Sequence, residues 1–243
     1  MRLSLFLELF FRSFMMFFFE GEKFRGIKLA CLVDCGNYFH ERKNLEKATK
    51  YYRKALGIDP QNYYANIGLA AALAANKSFR ESLDSLQKAI SIKKNDIWTL
   101  VLMFVAYEGL REENAANEAL KDILKYFDNN ETAAFDRLSY TYFELNMLRE
   151  AEYYIKKALQ ISPTDAGLHY NLGKIYFAEE MFDEARHEFH KTLELSSSKN
   201  EKCLRKYAIY YLKEIRNQIG DPPGGLGKPQ GEKWKKGRKG GRT

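Results

Sequence analysis

YYRKALGIDP at residues 51–60 recurs as YYIKKALQISP at 153–163, and SLQKAISIKKN at 85–95 fits the same frame. Ala55 and Ala89 stand 34 residues apart, as do Leu138 and Leu172, Tyr142 and Tyr176, and Ala151 and Ala185. A fixed period of this length means that one small structural unit is stacked on copies of itself. Each stretch is amphipathic at helical spacing, and a proline or polar turn closes it.

Worked outward, the frame organises residues 27–199 into five units: 29–62, 63–96, 97–131, 132–165 and 166–199. Eight positions recur in each. In the first unit they are Leu32, Cys35, Gly36, Phe39, Ala48, Tyr52, Ala55 and Pro60; in the fourth, Phe135, Leu138, Ser139, Tyr142, Ala151, Ile155, Ala158 and Pro163. Small residues at Gly36, Ala70, Gly173, Ala48, Ala151 and Ala185 let paired helices approach, and Phe39, Tyr52, Tyr142 and Phe189 fill the remaining space. The third unit departs twice. It carries Phe104 where a small residue is expected, and one extra residue in the loop Asn129-Asn130-Glu131. Its helices are expected to sit further apart or to cross at a changed angle. Residues 200–219 read as one more amphipathic helix, which caps the open end of the stack.

This pattern resembles the tetratricopeptide repeat family, over about four fifths of the chain. The resemblance implies an all-α fold: a right-handed superhelical α-solenoid of helix-turn-helix repeats with a C-terminal capping helix. It also implies that the first helix of each unit lines a concave surface, through positions 2, 5, 9 and 12. The contact residues expected there are Tyr64, Trp98, Val101, Tyr140, Phe143, Tyr170 and Phe177. Such an apolar, aromatic surface suits a segment of a partner protein rather than a small-molecule substrate. Relatives that grip the carboxylate end of chaperone tails use Lys, Arg and Asn at fixed groove positions. Here those positions hold Val33, Asn37, Gly68, Trp98 and Leu102, so that clamp is not expected.

Chemistry is scarce elsewhere. No strands are predicted, so the glycines of PPGGLGKPQG have no phosphate-binding context. Cys31 and Cys35 fall four apart on a helix, and Cys35 is a packing position. His187 and His190 read as an outward, solvated pair. The expectation is a non-catalytic scaffold or adaptor with no cofactor and no metal. Three cysteines are too few for a disulfide framework.

The ends differ from the body. Residues 220–243 carry seven Lys/Arg and two acids, so this tail holds +5 of the net +7. The body is nearly balanced, which argues against a nucleic-acid face spread across it. An alternative function therefore belongs to the tail, a flexible Gly/Pro-rich segment. Lys233, Trp234, Lys235, Lys236, Arg238 and Lys239 there could bind RNA or another polyanion. Within the apolar segment 1–26, residues 3–19 read LSLFLELFFRSFMMFFF, with Ser4, Glu8 and Arg12 on one helical stripe. Four readings stay open for it: a membrane anchor, a helix packed on the first unit or in the groove, an over-extended start ahead of Met15 or Met16, and a signal sequence. As an anchor, Lys23, Arg25 and Lys28 against Arg2 would put the repeats on the cytoplasmic face. Otherwise the expected location is cytoplasmic.

Overall fold

A computed structural model describes residues 22–196 and 202–219. The expectations for the apolar N-terminal segment and for the basic tail lie outside these residues. The described residues form eleven α-helices and no strand: α1 (Glu22–Glu41), α2 (Leu45–Ile58), α3 (Tyr63–Ala75), α4 (Phe79–Ile92), α5 (Ile97–Leu110), α6 (Glu113–Tyr126), α7 (Glu131–Glu144), α8 (Leu148–Ile161), α9 (Ala166–Ala178), α10 (Phe182–Leu195) and α11 (Lys202–Ile219). They pack as consecutive pairs, α1 on α2 through α9 on α10, with α11 laid against the last pair. The result is an α-solenoid with a terminal capping helix. Among the described residues no helix is long and apolar enough to cross a membrane.

The turn inside each pair is built the same way. Lys43, Lys77, Arg111, Asn146 and Glu180 all have φ near +60°. In each turn, the N–H of this residue bonds the carbonyl three residues back, and the next N–H bonds the carbonyl five back; Lys77 to Ala74 at 2.9 Å and Ser78 to Leu73 at 2.8 Å are one instance. This is a Schellman closure, which favours glycine at the left-handed position because a Cβ is strained there. Here all five positions carry side chains.

The turn between pairs is held by caps. Asn62, Asp96, Asn130 and Asp165 accept backbone hydrogen bonds in the first turns of α3, α5, α7 and α9. These bonds satisfy amides that the helix leaves unpaired. Pro60 and Pro163 follow α2 and α8 by two residues. Their carbonyls are also used: Asn66 Nδ2 donates to Pro60 at 3.0 Å, and the buried His169 lies 3.0 Å from the Pro163 carbonyl through Nε2. A carbonyl only accepts, so Nε2 is the donor in that bond. Its Nδ1 meets the buried Glu188 carboxylate at 2.5 Å.

Within pairs, small faces large. A Cβ on Gly36 would stand 2.4 Å from the Tyr52 ring, and one on Gly173 would stand 2.8 Å from Phe189. Where serine replaces the small residue it also ties the helices together. Ser82 Oγ donates to the Ala70 carbonyl and Ser139 Oγ to that of Ala151, both at 2.8 Å.

The third unit departs as expected and beyond it. α5 and α6 are the most sparsely packed of the five pairs, and α6 also barely touches α7, the first helix of the next unit. The other second helices pack well onto their successors. Phe104 is buried and turns its edge to Tyr154 of the fourth unit, 5.9 Å between centroids. The longer α6–α7 loop has Asp128 and Asn129 both at positive φ. A cleft of about 730 Å³ opens between α6 and α8 as a result. Glu108 sits in it and accepts hydrogen bonds from the hydroxyls of Tyr142 and Tyr154.

Candidate functional site

The concave side holds an open cleft of about 750 Å³ between α1, α3 and α5. Ala30 and Val33 form one wall, Ile67 and Ala71 another, and Leu102 the third. Tyr64 and Trp98 stand at its rim, 68% and 39% exposed. Both are second residues of their helices, so rigid caps aim them. Polar residues line the cleft too: Asp34, Asn37 and His40 on α1, Asn62 before α3, and Lys93 and Asp96 before α5. Tyr52 reaches in from α2 through the gap that Gly36 and Gly68 leave, and its hydroxyl donates to Asn37 Oδ1 at 2.7 Å. Burial pushes the Tyr52 hydroxyl above its ordinary pKa, so it stays a donor.

One carboxylate on the wall is fully committed. Asp96 accepts from Tyr63 at 2.5 Å, Lys93 at 2.7 Å, the Thr99 amide at 3.0 Å and the Thr99 hydroxyl at 3.1 Å. Burial alone would raise its pKa; the hydrogen bonds together outweigh burial and hold the carboxyl below its usual value. Lys93 is thereby paired too. Val33, Gly68, Trp98 and Leu102 all line the cleft, and none supplies a cation.

The remaining expected contacts lie beyond this cleft. Tyr140 of α7 meets the Trp98 ring edge-on at 6.0 Å, and Arg137 lies 4.9 Å over Trp98. Lys174 of α9 lies 4.7 Å over Phe143 and 5.9 Å from both Tyr140 and Tyr170. Burial pushes Lys174 below its ordinary pKa. The groove of the fourth and fifth units is thus partly filled by the chain's own cations. Further on, α11 covers it: Tyr211 packs on Phe177 at 5.1 Å, on Tyr170 at 6.1 Å and flat on Phe189 at 4.9 Å.

Val101 is corrected. It is fully buried and belongs to the central core with Ala70, Val105 and Leu138. α3 and α7 both press on α5, closing the concave wall over position 5 of the third unit. Leu102, one residue on, borders the cleft, though it too is buried and part of the same core. Gly68 and Leu102 were placed on the groove but not counted among its contacts, and the residue missed is Tyr52. A signal for it was present: a glycine on each side of a large aromatic packing position.

One contact crosses the concave side. Lys43, in the turn of the first unit, donates to Asn146 Oδ1 in the turn of the fourth. Nearby, His40 is held below its ordinary pKa by burial, with Glu144 opposing. Of the cysteines, Cys31 is buried, and burial raises the half-buried Cys35 thiol. His187 is exposed, and burial lowers the half-buried His190.

Paired helices at a 34-residue period, with small-to-large packing at fixed positions, define a helical repeat protein. Residues 39–104 and 142–195 match the Tetratricopeptide repeat family, and the chain belongs to it. It is 27% identical over 176 residues to "Interferon-induced protein with tetratricopeptide repeats 2" of Cricetulus griseus, covering 71% of this chain and 36% of that protein. It is 33% identical over 121 residues to a "Hsp70-Hsp90 organising protein" of Plasmodium falciparum, covering 50% and 47% respectively. The chain spans less than half the length of each. Among solved structures, a thermophilic TPR protein of Thermus thermophilus aligns with a TM-score of 0.47 at 18% identity, over 76% of this chain and 99% of that one.

Proposed function

We propose that this chain is a non-catalytic scaffold that holds an apolar segment of a partner protein in the α1–α3–α5 cleft. Repeats of this family are general protein-interaction modules. The observation that carries the reading is the pair Tyr64 and Trp98, large aromatic side chains left exposed at the rim of an apolar cleft. Aromatic anchors give large contact area at low cost in side-chain entropy. Among the polar residues of the lining, Asp96 and Lys93 are paired with each other and Asn37 holds the Tyr52 hydroxyl, so the surface left to a ligand is mainly apolar, with Asp34 and His40 along α1. That favours an apolar helix or extended segment over a charged one.

The test is a nuclease-treated capture from native lysate, with Tyr64→Ala/Trp98→Ala as the matched control. The captured protein is then identified, purified and titrated against both chains at two salt concentrations. The reading expects binding that is lost in the double variant and changes little with salt. Equal binding by both chains would move the interaction off this cleft. A steep loss with salt would point to charge contacts instead.

A further inference from the structure

We propose that the outer face of α11 binds single-stranded nucleic acid, with Lys202, Lys206 and Lys213 on the phosphates and Tyr210 stacked on a base. This face lies at the opposite end of the stack from the α1–α3–α5 cleft, and neither reading depends on the other. Three observations carry it. The first is arrangement. At 3.6 residues per turn, Lys202, Lys206 and Lys213 fall within about 40° of one another around α11, and Tyr210 stands beside them. All four are exposed, Tyr210 by 55%. The opposite face, with Ala208 and Ile215, is buried against the last pair of helices. Arg205 fixes that seat by donating to the carbonyls of Leu193 at 2.5 Å and Ser196 at 2.9 Å. The lysine stripe is thereby turned outward.

The second is that the stripe does not serve the fold. α2, α4, α6, α8 and α10 each carry an acid in the first turn, where the helix dipole favours one. α11 opens on Lys202 and has no acid there. Lys202 and Lys206 are also four apart, a spacing at which like charges repel. Other outer helices pair their cations internally: Lys121 with Glu118, Lys156 with Glu152, Arg186 with Asp183. Among the described residues no ion pair involves Lys202, Lys206 or Lys213. A terminal helix needs a polar outer face, and mixed charge would supply one without this repulsion.

The third is charge complementarity. Residues 202–243 carry twelve Lys/Arg and three Asp/Glu, a balance of +9, while the 201 residues before them are net −2. The positive excess of the chain therefore begins at α11. A field of one sign attracts a polyanion and repels a second copy of the same end. Tyr210, and Trp234 further along, stand in sequence among these cations. A single strand matches both features, with charge along its backbone and a π face on every unpaired base. An anionic bilayer matches only the charge, because the apolar residues beside the lysines, Ile209 and Tyr210, are too few to insert.

The experiment uses the nuclease-treated full chain and fluorescence anisotropy with labelled oligo-uridine, oligo-thymidine and a duplex of equal length. Flotation with vesicles of phosphatidylserine and phosphatidylcholine in equal parts runs alongside. Expected is binding of both single strands that weakens steeply with salt. Lys202→Gln/Lys206→Gln/Lys213→Gln is expected to weaken it at least tenfold. The same variant should flatten the slope of log affinity against log salt by about 2, three contacts at roughly 0.7 each. Tyr210→Ala should weaken single-strand binding at least fivefold and leave duplex binding unchanged, and Tyr210→Phe should match the parent. All these side chains are exposed, and helical circular dichroism with Tm verifies each fold. Tighter binding of one single strand than the other supports the proposal and names the ligand as RNA or DNA. Parent-like binding by the lysine variant, with loss instead in Lys233→Gln/Lys235→Gln/Lys236→Gln, would overturn it in favour of the tail alone. Parent-like single-strand binding by Tyr210→Ala would overturn it in favour of charge without stacking. Vesicle binding without oligonucleotide binding would overturn it in favour of a membrane surface.

Discussion

The Tyr52 hydroxyl donates to Asn37 Oδ1 at 2.7 Å, so a residue of the second helix contributes to the floor of a cleft built from first helices. It can do so only because α1 and α3 both lack a side chain on its path. A Cβ at Gly36 or Gly68 would come within 2.4 or 2.5 Å of its ring.

Gly36→Ala is therefore expected to lower stability by about 1–3 kcal/mol, the usual cost of overpacking. Tyr52→Phe keeps the ring and removes one hydrogen bond, for about 0.5–1.5 kcal/mol. Urea denaturation of the two variants checks the order. A larger loss for Tyr52→Phe would contradict the packing described.

Trp98 and Val101 are three residues apart and should behave oppositely. Trp98→Ala is expected to leave the urea midpoint nearly unchanged and to weaken partner binding. Val101→Ala removes a fully buried side chain and should cost on the order of 1–3 kcal/mol. Any binding it retains, measured under folded conditions, should match the parent chain. A binding defect confined to Val101→Ala would reverse the assignment.

Lys77 is exposed and sits at φ 61° in a Schellman turn. Lys77→Gly removes left-handed strain of about 1–2 kcal/mol and adds chain entropy of roughly 0.5–1 kcal/mol to the unfolded state. The net is a gain of about 0.5–1 kcal/mol, or a Tm roughly 1–4 °C higher in a chain of this size. Differential scanning calorimetry reads this directly.

The Asp96 carboxyl has a folded-state pKa below its unfolded value. Such a group contributes stability above the unfolded pKa and loses that contribution as pH falls through the folded one. Between pH 5 and pH 3 the parent chain should lose more Tm than Asp96→Asn. Parallel acid-melting curves would show that the four hydrogen bonds do not favour the charged form.

The repeat frame could be read from sequence because its rules are local. Gly36 opposite Tyr52, Gly173 opposite Phe189, and prolines after α2 and α8 all act within a single unit. The side of α5 that faces the cleft could not be read. IWTLVLMFVAYEGL is apolar on almost every side, so periodicity gives no outward face, and the choice between Val101 and Leu102 is made by α3 and α7. Tyr170 and Phe177 occupy the expected groove positions. Their cover, Tyr211, comes from α11, and only the docking of that helix brings it there. The disturbance at Phe104 was visible in the sequence. The second gap, between α6 and α7, was not, because it depends on the ring meeting Tyr154 across the junction.

The Lys43–Asn146 hydrogen bond has a consequence for cooperativity. In a linear array each unit exchanges free energy with its immediate neighbours alone, and unfolding propagates as along a one-dimensional lattice. A contact between the first and fourth units adds a term that skips two sites. An exposed lysine–asparagine bond is worth at most about 1 kcal/mol, so the coupling it adds is weak, but it runs outside the stack and past the loose α6–α7 junction.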